Sequence, residues 1–184
     1  NAVIMLQPGA VNTQLSLHIR TGSVYENDTI SGVATVLQSI IADRIISYLQ
    51  RSTGPITKDN TAFSSYTTSE QTIFQFSGPT AYIPQYLRLL RDSVYFTFVT
   101  PAQLKSKAED LTAGFEKQKG DPRKELETRL MKTVFRQGYD RAISSGNVAN
   151  YKNLDTATVN HFHRKYYVAA NSLFGLAGNV NNSQ

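Results

Sequence analysis

The chain has 184 residues, enough for one domain with a sizeable core, and its 40% hydrophobic and 18% charged residues exclude a disordered polymer. Nineteen Lys and Arg against 14 Asp and Glu give a formal net charge of +5. The basic residues never run beyond two and are interspersed with acids, the pattern of a solvated surface and not of a nucleic-acid footprint. An acidic substrate or partner stays open.

Residues 2–6 (Ala-Val-Ile-Met-Leu) read as a buried strand closed by Pro8-Gly9. Residues 14–20 alternate, with Leu15, Leu17 and Ile19 on one face and Ser16, His18 and Arg20 on the other, which predicts a half-buried strand. Asp28, Thr29 and Ser31 offer N-cap chemistry for a helix over about 31–51. Its stripe is Val33, Leu37, Ile41, Ile45 and Leu49. Residues 52–60 carry Gly54-Pro55 and Asp59-Asn60 and read as a loop. Residues 61–68 and 72–78 read as an antiparallel hairpin.

Thr80 is the expected cap of a helix with Ile83, Leu87, Leu90 and Val94 on one face, and Pro84 in its first turn. Thr100-Pro101 opens another, with the stripe Leu104, Ala108, Leu111 and Phe115, stopped by Gly120. Asp121-Pro122 starts a third through Leu126, Leu130 and Val134, and 138–153 reads as loop. Asp155 caps a helix to about Tyr167, and residues 172–178 form a last strand. The order β, β, α, β, β, α, α, α, α, β lacks strict βα alternation. It therefore predicts an α+β fold, an antiparallel-rich sheet with helices on one face.

The absence of cysteine removes a disulfide framework, thiolate zinc sites and cysteine nucleophiles. No apolar run approaches about 18 residues, so no membrane-spanning helix is expected. The chain begins at Asn1 and enters an apolar run at once, so it is expected to be a single domain, 1–184, excised from a longer polypeptide. Periplasmic or exported locations stay open. His161 and His163 are two apart on a predicted helix and point to different faces, which does not suit a metal pair, and His18 is on an outward strand face. All three histidines are expected at the surface. Glu109, Asp110 and Glu116 read as solvated acids of one helix. No Gly-rich phosphate loop with its lysine and no nucleophile elbow is present.

A resemblance carries the reading further. Thr21-Gly22-Ser23-Val24-Tyr25-Glu26, followed by Ser31-Gly32-Val33-Ala34-Thr35-Val36-Leu37-Gln38-Ser39, resembles the start of the pitrilysin/insulinase metallopeptidases. Those proteins typically show Ala-Gly-Ser-x-Tyr-Glu and then Gly-Leu-Ala-His-x-Leu-Glu-His. Asn60 to Ser65 and Gln71 to Phe74 are similar to the family's next two strands. Leu154-Asp155 through Phe162-His163-Arg164-Lys165-Tyr166-Tyr167 is similar to its Phe-His-x-x-Tyr-Tyr helix. Asn171-Ser172-Leu173 and Gly178-Asn179-Val180 are similar to its closing strand.

The resemblance implies a zinc site made of two histidines four apart, with a glutamate between them as general base for the metal-bound water. This sequence has Thr35, Gln38 and Ser39 at those positions. The third ligand falls in the window Ala113 to Glu116, where the register favours Ala113 or Gly114 and only spacing favours Glu116. The expectation is therefore a degenerate site with no catalytic, cofactor or metal residue, in the first domain of a non-catalytic half or subunit. The implied partner is an active zinc-bearing half of the same family, with peptide substrate between them and no nucleic acid. Two alternatives stay open: an assembly scaffold with no proteolytic partner, and an enzyme whose site is unrelated or whose ligands come from elsewhere.

Overall fold

The computed structural model describes residues 2–117, 120–135 and 148–180. One five-stranded sheet organises them. Its strands are β1 (Ala2–Leu6), β2 (Asn12–Ile19), β3 (Ala62–Thr67), β4 (Thr72–Pro79) and β5 (Ser172–Gly178), in the spatial order β1-β5-β2-β4-β3. All neighbours are antiparallel except β1 and β5, which run parallel with Ala2 opposite Phe174 and Leu6 opposite Gly178. The helices pack on one face, as the α+β expectation requires.

The central strand β2 shows why. Leu15, Leu17 and Ile19 are buried, whereas Ser16 and His18 are half-buried on the opposite face. Period-two alternation has thus sorted the side chains as expected. Against the apolar face lies α1 (Val33–Arg51), through Val33, Leu37, Ile41, Ile45 and Leu49, all buried. The helix α2 (Ile83–Leu90) packs on β4, where the Tyr86 ring stacks on Phe76 with centroids 5.4 Å apart. A five-residue π-helical turn, Arg91–Tyr95, follows without a break.

The helix α3 (Pro101–Glu116) begins with a capping box. Gln103 donates its backbone N–H to the Thr100 hydroxyl, and its side chain accepts from the Thr100 N–H. It packs on α1 through Leu104 and Ala108, with the Lys107 ammonium on the Asp43 carboxylate. After α4 (Pro122–Phe135) and a 3-10 segment, Val148–Asn153, the helix α5 (Thr156–Tyr166) starts at Asp155. The Asp155 carboxylate accepts the Thr158 N–H at 2.7 Å, as the sequence implies.

Five expectations are corrected. β1 is a strand but not a buried one: Val3, Ile4, Met5 and Leu6 are 54% to 61% exposed, because β1 is the outermost strand of the sheet. Thr80 caps no helix; its hydroxyl and backbone N–H both bind the Val11 carbonyl at 3.1 Å, tying the end of β4 to the start of β2. Its helix turns inward through Ile83, Tyr86, Leu89 and Leu90, leaving Leu87 exposed, because the chain passes through a 3-10 turn before α2. The stripe Leu126, Leu130 and Val134 of α4 faces solvent. Of the 138–153 loop, residues 138–147 lie outside the described residues, and 148–153 are 3-10 helix instead.

Candidate functional site

The residues singled out by the resemblance sit on the first two turns of α1. Two features fix that end of the helix. Gly22 is packed so closely on the turn of the β3–β4 hairpin that a Cβ there would stand 2.2 Å from the Thr68 carbonyl oxygen. Gly32, the residue before the helix, has φ of 94°, a left-handed conformation that favours glycine. The N-cap position falls on Gly32 and not on Asp28, Thr29 or Ser31 as expected. Glu26 does it from the preceding loop, with Oε2 accepting the Gly32 N–H at 2.6 Å and Oε1 the Ala34 N–H at 2.8 Å. These N–H groups have no partner within the helix, and a carboxylate also meets the positive end of the helix dipole. Burial nevertheless dominates and pushes the Glu26 carboxyl up to about 7, against the opposing pull of the two N–H bonds.

Thr35 and Ser39 lie four residues apart on α1 and are half-buried. Gln38 is only 9% exposed, and its Nε2 donates to the Ser65 hydroxyl of β3 at 2.6 Å. Across α1, Ala113 and Glu116 of α3 are exposed, and a Cβ added at Gly114 meets nothing within 4 Å. Two hydroxyls and a carboxamide offer neither imidazole nor carboxylate. Gln38 cannot take up a proton as a general base does, and it is already committed to Ser65. This donor set does not fit a catalytic zinc ion. Among the described residues, no three His, Asp or Glu side chains converge as a metal-binding group.

The histidines divide differently from expectation. His161 is exposed, whereas His163 is buried. Its Nε2 lies 2.7 Å from the Val94 carbonyl oxygen and so carries the proton, and its ring stacks on Tyr167. Three residues earlier on α5, Asn160 accepts the Val99 N–H and donates to the Val99 carbonyl, each at 2.9 Å. His163 and Asn160 together clamp the segment between α2 and α3. Burial holds the His163 imidazole below its usual pKa. His18, half-buried on β2, has Nδ1 3.2 Å from Gln71 Oε1 and Nε2 3.2 Å from Ser16 Oγ. Glu109, Asp110 and Glu116 are exposed, as their positions on α3 imply.

Sequence reasoning did not assign Glu26 its role, although a glutamate six residues before Gly32 was visible within the Thr21–Glu26 motif. Nor did it single out Ser65, because the pairing of α1 with β3 is a tertiary relation.

The fold is an α+β domain in which the start of α1 is pinned against the β3–β4 hairpin. The sequence profile of the insulinase family, peptidase family M16, matches residues 2–145, and the chain belongs to that family. A comparison with curated protein sequences gives no match. Among solved structures, a protein described as M16-like from Alicyclobacillus acidocaldarius superposes with a TM-score of 0.86 at 16% identity, over 99% of this chain and 44% of that one. The M16 inactive domain from Pseudomonas fluorescens gives 0.80 at 19% identity, over 99% and 45%. The periplasmic protease PqqL from Escherichia coli gives 0.80 at 20% identity, over 98% and 21%. The chain thus spans under half the length of each.

Proposed function

We propose that this chain is a non-catalytic peptidase-homologue domain. It works beside a zinc-bearing half or subunit of the same family, which performs the proteolysis, and it contributes to holding the peptide. The observation that carries this reading is Gln38. It stands where the resemblance puts the general base, it is buried, and its amide is tied to Ser65 at 2.6 Å. Thr35 and Ser39 supply hydroxyls where imidazoles are needed, and hydroxyls are poor zinc ligands at neutral pH. The similarity to an M16 domain described as inactive supports the same reading.

The frame around the altered positions supports a domain kept for its shape. Gly22, Gly32 and the Glu26 cap hold the start of α1 in place although the side chains they present are not catalytic. The test has two arms. After dialysis against trace zinc, elemental analysis is expected to find no stoichiometric metal in the protein. Added to a zinc-bearing member of the family, the protein is expected to raise peptide hydrolysis. One tightly held zinc per chain, or hydrolysis by this chain alone, overturns the reading. No effect on the zinc-bearing member leaves the scaffold alternative in its place.

A further inference from the structure

We propose that the cleft between the C-terminal half of α1 and the π-helical turn binds an acidic peptide segment through Arg44, Arg51 and Arg88. The cleft has a volume of about 640 Å³, and these three arginines line it together with Tyr48, Gln85 and Asp92. Arg44, Tyr48 and Arg51 follow one another at intervals of four and three residues, so they form one stripe of α1. Ile45 and Leu49 hold the neighbouring, buried side. Arg88 comes from the last turn of α2.

The charges in the cleft do not cancel. Its one carboxylate, Asp92, is taken by Arg91, whose Nε donates to it at 2.8 Å. Arg44 gives one N–H to the Thr97 hydroxyl at 3.3 Å and Arg51 one to the Ser47 carbonyl at 3.1 Å. A guanidinium has five N–H donors, so most of each fork stays available. Among the described residues the Arg88 guanidinium makes no hydrogen bond or ion pair. Arginines in a last helical turn complement the helix dipole, and that alone accounts for Arg51 and Arg88. It does not account for Arg44 in mid-helix.

One further observation marks the cleft. The cleft wall is a π-helical turn, a rare conformation that recurs at functional sites. An acidic peptide fits better than a phosphate. The carbonyl end of α1 lies at the cleft through Ser52 and adds partial negative charge, which opposes a dense dianion more than carboxylates spread along a chain.

The site is separate from the altered motif. Its nearest residue on α1, Arg44, lies five residues beyond Ser39, about 7.5 Å along the helix axis, and Arg51 lies twelve beyond, about 18 Å. The inference therefore stands or falls apart from the proposed loss of zinc chemistry.

Fluorescence anisotropy with fluorescein-labelled hexaglutamate tests it, with labelled hexaglutamine as the neutral probe. Saturable binding is expected for hexaglutamate only. It should weaken at least about ten-fold in the Arg51→Gln/Arg88→Gln variant and on raising salt from about 50 to 500 mM. Arg123→Gln, on the exposed surface of α4, should leave it within about two-fold, as expected for a charge outside the cleft. The substituted arginines are exposed, so each variant is expected to keep the parent melting temperature. Four results overturn the proposal: no saturable binding, equal binding of hexaglutamine, equal loss in Arg123→Gln, or displacement by inorganic pyrophosphate at lower concentration than by unlabelled hexaglutamate.

Discussion

The Glu26 carboxylate receives the backbone N–H of Ala34 at 2.8 Å, so an acid eight residues upstream secures the first turn of α1. That acid is buried beside the phenols of Tyr151 and Tyr167, both pushed up chiefly by burial and further by the Glu26 charge. A carboxyl raised from 4.5 to about 7 stabilises the fold fully below 4.5, and this contribution is lost as pH rises through 7. Glu26→Gln mimics the protonated acid and does not titrate. Chemical denaturation of both proteins between pH 4 and 8 should show the parent losing up to about 3 kcal/mol relative to Glu26→Gln. A difference that does not vary with pH would mean that the two N–H bonds balance burial, and a parent that gains on Glu26→Gln as pH rises would mean that they outweigh it.

His163 has the opposite sign. Its imidazole is held below the usual 6.5 by burial, with Nε2–H donated to the Val94 carbonyl. The unfolded chain takes up a proton on acidification that the folded chain resists, so this contribution is complete above 6.5 and falls as pH drops. The stability of the parent relative to His163→Gln is therefore expected to decline from pH 7 to pH 5 and to level off above 7. A flat difference over that range would sink the assignment.

Leu37 and Gln38 are neighbours in sequence with different work to do. Leu37 is wholly buried against the sheet, so Leu37→Ala should cost about 2–5 kcal/mol. From the sequence alone, Gln38→Ala is expected to be nearly silent. The hydrogen bond to Ser65 changes that: losing it should cost about 1 kcal/mol. In a double-mutant cycle, Gln38→Ala and Ser65→Ala should cost less together than the sum of the two. Strict additivity would show that the bond contributes nothing.

What the sequence made legible was whatever is local. The alternation of Leu15, Leu17 and Ile19, the four-residue spacing of Val33 to Ile45, and the caps at Thr100 and Asp155 depend on neighbours a few residues away, and each stands as read. What failed depends on distant partners. Val3 to Leu6 make a strand by composition, but burial needs a covering layer, and β1 is the sheet edge. His163 faces inward because the turn at Val94 comes to meet it from 69 residues away. The motif positions were legible through resemblance, whereas the tie between Gln38 and Ser65 needed the hairpin placed against α1.

A rebuilt zinc motif tests the positional reading itself. Thr35→His and Ser39→His would place two imidazoles four apart on one face of α1, and Gln38→Glu would set a carboxylate three residues after the first. Both hydroxyl positions are half-buried, so each imidazole keeps an open side for metal. A third ligand must come from α3. At Gly114 an added Cβ meets nothing within 4 Å and Ala113 is exposed, so Gly114→Glu and Ala113→Glu are both accommodated, with the native Glu116 as the comparison. Weak zinc binding is expected for one of these combinations and little peptidase activity for any. Metal ligands depend on neighbouring groups that orient them, and loss of such groups alone typically costs about 10- to 100-fold in affinity or activity. Gln38→Glu also breaks the donor bond to Ser65, so the folded fraction should be checked by thermal melting before titration. Zinc affinity that depends on both imidazoles and on one α3 position would support the assignment of Thr35, Gln38 and Ser39. No affinity in any of the three combinations would mean that α1 and α3 do not frame a metal site, and the positional reading would have to be withdrawn.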